Sequence, residues 1–159
     1  MESADLVARI ETFLDAHHVM TLATGAGSAV HAASLMYARE GFALYWTSDP
    51  ATRHSRELDA EPRVAATIAP DYTDFRAIRG LQLAGRAARL ADPRAIERAR
   101  TLMAARYAFL AALAQGPQAL RAAWAKAGFY VLRPERITLI DNTRAFGHKE
   151  TLQLAPGDG

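Results

Sequence analysis

Apolar Leu6, Val7, Ile10, Phe13 and Leu14 fall on one stripe of 3.6-residue period, with Asp5, Arg9 and Glu11 opposite. That pattern predicts a core-facing helix, capped by Ser3. After His17 and His18 the texture changes to short β-prone runs: Val19 to Thr24, Ala29 to Tyr37 and Phe42 to Thr47. Gly25 to Gly27 and Arg39 to Gly41 separate these runs at hairpin length. Ala51 to Asp59 reads as one or two helical turns, Arg63 to Ala69 as a strand and Pro70 to Asp74 as a loop. Ile78 to Leu90 alternates as a long strand in which Gly85 marks a bend or bulge. Helix returns from Pro93 through Ala114, packed by Leu102, Met103, Phe109, Leu110 and Leu113, and again from Pro117 to Ala127. A last strand, Phe129 to Ile140, leads into a polar tail whose end, 149–159, is expected to be loose.

Strands that follow one another by hairpins, without βαβ alternation, predict an α+β architecture. The expected form is a six-stranded antiparallel β-barrel with an N-terminal helix and a helical pair before the last strand. With 159 residues, 50% of them hydrophobic, the chain has material for one sizeable core, and 1–159 is read as a single domain.

Composition narrows the function by exclusion. The 19 basic and 17 acidic residues nearly cancel, the arginines are scattered singly, and no groove-binding or RNA-binding motif is present, so no nucleic-acid partner is expected. There is no cysteine, which removes disulfides, thiolate metal sites and cysteine nucleophiles together. Met1 to Asp15 lacks the basic start and unbroken apolar run of a signal peptide, and no stretch approaches the roughly 20 apolar residues that span a bilayer. A cytoplasmic protein without membrane contact is the expectation. Gly25-Ala26-Gly27 lacks the third glycine and the following helix of a dinucleotide fingerprint. His17, His18, His31, His54 and His148 show no metal-site spacing, so no metal is expected. No serine sits in a Gly-x-Ser-x-Gly elbow.

One stretch carries positive chemistry. Thr47 and Ser48 end a strand, and after a short loop Thr52, Arg53 and His54 open a helical turn. Hydroxyls and free amides donate hydrogen bonds, a helix start is electropositive, and Arg53 offers a two-pronged fork to an oxyanion. On the residues alone this is an anion site, and surface residues capping a helix account for the same pattern equally well.

The stretch from Trp46 to Leu58, with Glu61-Pro62-Arg63-Val64 after it, resembles the flavin-phosphate segment of the pyridoxamine 5'-phosphate oxidase-like superfamily. Arg79 to Ala87 resembles that superfamily's Gln-containing strand, and Phe129 to Ile137 its final strand. His17 to Leu22, Thr52 to His54, Ile78 to Gln82 and Asp141 to Gly147 are together similar to an uncharacterised bacterial branch of it. The resemblance implies a split β-barrel that binds FMN and works as a homodimer with the flavin in the interface. It implies a phosphate site made by Thr47 or Ser48, Thr52, Arg53 and, where the family has Lys, His54. It further implies that Gln82 reaches the ring edge from the partner subunit, and that backbone around Ala32 to Ser34 meets the ring from below. The oxidases that make pyridoxal phosphate carry a C-terminal basic Arg-x-His segment that this chain lacks, so pyridoxamine phosphate is not the expected substrate. An FMN-dependent oxidoreductase of unknown substrate is the leading expectation. A flavin-, deazaflavin- or haem-binding protein without turnover is the alternative. No catalytic acid or base is identified; His17, His18 and His148 qualify by pKa class alone, and the 141–149 segment either covers the pocket, with Arg144 or His148 on a ligand, or folds against the barrel.

Overall fold

The structure, a computed structural model, describes residues 2–156. Helix α1 (Glu2–Ala16) buries Leu6, Ile10, Phe13 and Leu14, as their stripe predicts, while Ser3 lies inside its first turn and does not cap it. Strands β1 (Val19–Ala26) and β2 (Ala29–Met36) form a hairpin turning at Gly27, where a φ of 62° suits glycine. Then come β3 (Ala38–Glu40), β4 (Ala43–Ser48), α2 (Arg53–Ala60), β5 (Arg63–Ile68), a 3-10 turn at Phe75–Ala77, and β6 (Arg79–Arg89). Helices α3 (Pro93–Arg106), α4 (Phe109–Ala114) and α5 (Gln118–Lys126) precede β7 (Gly128–Asp141) and β8 (Lys149–Gln153).

The strands make one curled antiparallel sheet in the order β2-β1-β5-β6-β7-β4-β3, with β8 added to β7. The α+β class and the N-terminal helix are as expected; among the described residues the count is eight strands, not six. One extra strand arises because the run beginning at Ala29 outlasts its pairing with β1. Beyond Tyr37 it pairs with β4, so a single residue joins the two ends of the sheet path. Tyr37 is fully buried there, its N–H donating to the His18 carbonyl (3.0 Å) and its hydroxyl to the Leu14 carbonyl (2.8 Å).

The other extra strand is β8. The tail expected to be loose from 149 is hydrogen-bonded through Gln153, because the long β7 offers one edge to β4 in its first half and to β8 in its second. Arg9 of α1 then clamps Glu150 with two hydrogen bonds of 2.8 and 2.7 Å. Residues 157–159 lie outside the described part of the chain.

The expected helical pair is three helices. Asp92 caps α3 through the Ala95 N–H (3.0 Å), with Pro93 in the first turn. The helix stops at Tyr107, whose buried hydroxyl reaches the carbonyls of Tyr37 and His18, and Phe109 is turned out to solvent. Gly85 marks a bulge, as expected: the β6–β7 register slips between Ala84 and Gly85. A Cβ there would stand 2.2 Å from the Arg133 carbonyl oxygen. The main core fills the curl of the sheet with Met20, Leu22, Leu44, Trp46, Leu58, Leu81, Leu132 and Ile137 under α1, and a smaller cluster around Met103 and Phe129 lies beneath α3 and α4. No helix among the described residues is long and apolar enough to cross a membrane.

Candidate functional site

Strand β4 ends at Ser48, and the Asp49 carboxylate accepts the Ala51 N–H (2.8 Å), which folds the loop back into α2. Thr52 is the extended residue before that helix, with φ −63° and ψ 154°. Its hydroxyl does not cap the helix. It sits 2.9 Å from the Asp49 carbonyl, 2.7 Å from the Ser55 hydroxyl and 3.2 Å from His54 Nε2. Ser48 Oγ lies 2.8 Å from the same Nε2. Ser48, Thr52, His54 and Ser55 thus form one hydrogen-bonded knot at the start of α2. The first turn has no side-chain cap, and uncapped amides at a helix start are a favourable seat for an anion.

Arg53 reaches outward from this knot. Its Nη2 donates to the Val30 carbonyl on β2 (3.3 Å), and its Nε lies 3.4 Å from Glu57 Oε1, one helical turn on. Glu57 is buried and its Oε2 meets the Thr24 hydroxyl at 3.4 Å; its Oε1 has no hydrogen bond, so the Arg53 contact is its one compensation there. Thr47 is committed elsewhere, donating to the Gly128 carbonyl across the β4–β7 ladder (3.0 Å). Burial, and secondarily the charge of the nearby His31, holds the His54 pKa below the ordinary histidine value. At neutral pH this imidazole is uncharged, and Arg53 is the cation of the site.

The remaining expected residues lie on the outer face of the sheet. Ala32 and Ser34 alternate outward along β2. The register aligns Ser34, Thr21, Thr67, Gln82, Thr138 and Thr151 in one cross-strand row, beside a second row of Ala32, Ala23, Ala65, Ala84, Arg136 and Gln153. A hydroxyl-and-amide row beside an alanine row makes a shallow surface on which a flat ring can lie close to the backbone. Gln82 stands three strands from Ser34, about 14 Å at the usual strand spacing. It opens on a cavity of about 610 Å³ with Thr67, Thr138 and Thr151.

The chain therefore brings Ser48, Thr52, Arg53 and His54 together beside β2, and keeps Gln82 apart from them. Thr47 pairs with Phe129 and Gln82 with Thr138, positions separated along β7 by roughly 30 Å of extended strand. Arg144 and His148 serve the other end of the barrel: Arg144 lies 3.7 Å from Asp5, and His148 Nε2 lies 3.0 Å from Glu150. The segment folds against α1, the second of the two readings open to it. Sequence reading passed over Ser55 and Glu57, although their helical spacing from Thr52 and Arg53 was there to be used. Thr24 and His31 enter through the β1–β2 hairpin; the turn at Gly25 to Gly27 announces the hairpin itself, but no local pattern reveals that it packs against α2.

The donor set fits a phosphate-bearing cofactor: hydroxyls, uncapped amides and one guanidinium, next to a face of small side chains. Comparison with known proteins places this geometry in a family. The family model described as Pyridoxamine 5'-phosphate oxidase matches residues 6–141. A UPF0306 protein of Yersinia pestis is 34% identical over 87 residues, which is 54% of this chain and 59% of that relative, so the match spans less than two thirds of its length. Among solved structures, a heme binding protein from Mycobacterium smegmatis superposes with a TM-score of 0.70 at 23% identity, over 90% of this chain and 56% of that one. A FAD-binding protein from Mesorhizobium loti does so with a TM-score of 0.63 at 22% identity, over 82% and 90%. These two likenesses speak for the fold, and the family match over most of the length carries the assignment: the chain belongs to the pyridoxamine 5'-phosphate oxidase family.

Proposed function

We propose that the chain is an FMN-dependent oxidoreductase acting as a homodimer, with the cofactor phosphate held by Ser48, Thr52, Arg53 and His54 beside Thr47. The observation that carries this reading is the knot of donors at the uncapped start of α2, with Arg53 as its cation. The ring would lie over Ala32 to Ser34, and Gln82 of the second copy would approach its edge, since the Gln82 of the same chain is too far from the phosphate loop. Bound there, FMN supplies hydride and electron transfer, and the protein binds, orients and shields it.

The likeness to the M. smegmatis heme binding protein favours a second reading, a haem or flavin carrier without turnover. The visible spectrum of the purified protein separates the two, flavin bands supporting the first and a Soret band the second. In the first reading Arg53→Ala weakens FMN binding about tenfold or more, the value of a charge-assisted hydrogen bond. A colourless protein that ignores added FMN refutes it. A bound flavin that no nicotinamide nucleotide reduces leaves the carrier.

A further inference from the structure

Three segments that the cofactor reading does not use, around His17, Arg79 and Asp141, meet where α1 closes the end of the barrel. They line a cavity of about 160 Å³ together with Arg9, Thr12 and Phe13. That volume corresponds to roughly five water molecules, the size of a small organic acid. We propose that this cavity binds a small monocarboxylic acid that also carries a hydrogen-bond donor, such as a hydroxy acid.

The charges select the ligand. Arg9 is engaged by Asp5 and Glu150, whereas the Arg79 guanidinium has no hydrogen-bond or ion-pair partner among the described residues. Arg79 has the same strand parity as buried Leu81 and Leu83 but stands exposed at the start of β6, at the rim of this cavity, while Gln82 faces the other side of the sheet. Its fork matches a carboxylate. His17 Nδ1 lies 2.7 Å from the Phe13 carbonyl, which can only accept, so the proton sits on Nδ1 and Nε2 presents a lone pair. The Phe13 ring, 4.1 Å from the imidazole, holds it in place. Asp141 uses Oδ1 for the Thr143 N–H (3.0 Å) and hydroxyl, and among the described residues Oδ2 has only Arg144 at 3.9 Å. His17 and Asp141 thus offer two acceptors to a donor on the ligand. The buried Asp141 carboxylate also opposes a dianion, which favours a carboxylate over phosphate.

The proposal stands independently of the cofactor reading, because the two sites share no residue. Its test is titration of the full chain with glycolate, acetate and inorganic phosphate, followed by calorimetry and by the NMR shifts of the His17 imidazole. Saturable glycolate binding at millimolar ligand is expected, with His17 shifting, acetate weaker and phosphate weakest. Arg79→Gln removes no contact of the fold and should weaken glycolate roughly tenfold or more, while Arg56→Gln on α2 leaves it unchanged. Absence of saturable glycolate binding overturns the proposal. So does binding that Arg79→Gln does not alter, acetate as tight as glycolate, or phosphate tighter than glycolate.

Discussion

Replacing Arg106 tests how α1 is held to the rest of the fold. The helix has no basic residue in its last turn, so nothing of its own answers the carbonyls at its C-terminus. Arg106, at the end of α3, supplies the donors from outside: its guanidinium reaches the carbonyls of Leu14 (3.1 Å), Asp15 (3.1 Å), Tyr37 (3.0 Å) and His17. It also lies over the Tyr37 ring, 4.9 Å from the centroid. Leu14 and Tyr37 keep second donors in the hydroxyls of Tyr37 and Tyr107, whereas the Asp15 and His17 carbonyls lose the donor described for them. Hydrogen bonds to a charged group contribute about 1.5–3 kcal/mol each, and water replaces part of the loss at the exposed Asp15 carbonyl. Arg106→Met, which keeps the apolar stem, should therefore cost about 2–4 kcal/mol. For a chain of this size that is a fall in Tm of roughly 5–15 °C. Arg106→Lys should recover less than half, since one ammonium cannot serve divergent carbonyls. Urea unfolding followed by far-UV circular dichroism measures both. A loss below about 0.5 kcal/mol for Arg106→Met, within the scatter of ordinary surface substitutions, would refute the reasoning.

Two further outcomes follow from other parts of the fold. Gly85→Ala places a Cβ 2.2 Å from the Arg133 carbonyl oxygen and 2.7 Å from Pro134 Cα, both backbone, so the β6–β7 bulge must move. A loss of about 3 kcal/mol is expected, and a variant as stable as the wild type by thermal denaturation contradicts the bulge geometry. The Arg9 hydrogen bonds hold the Glu150 carboxyl well below its usual range, at about 2. A carboxyl depressed in the folded state stabilises above its unfolded pKa of about 4.3, and that contribution is lost as the pH falls towards 2. Arg9→Gln should flatten this part of the stability–pH curve; an unchanged acid limb argues against the clamp.

Much of the site was legible because it is local. Thr47, Ser48, Thr52, Arg53 and His54 lie within one strand–loop–helix unit, and hydroxyls ahead of a helix start suffice to mark it. The knot they form among themselves, with Ser55, was not legible, and neither was the buried Glu57 that holds Arg53. Whether a hydroxyl caps its own helix or turns to a neighbour depends on where the imidazole of His54 packs, and that is set by burial against the hairpin.

The hydrophobic periods, the glycines at turns and the Asp92-Pro93 start were enough to determine the class of the fold, the positions of most strands and the bulge at Gly85, since each depends on a few adjacent residues. Tertiary structure alone decided how many strands there are. Strand β3 exists because the chain beyond Tyr37 meets β4, and β8 because β7 has edge to spare beyond β4. It also decided that Gln82 and Ser34 share one row while Gln82 and Thr47 stand far apart. Pairing partners and register come from backbone groups distant in the chain finding each other across a curled sheet, and no local alternation of apolar and polar residues records which edge will be free.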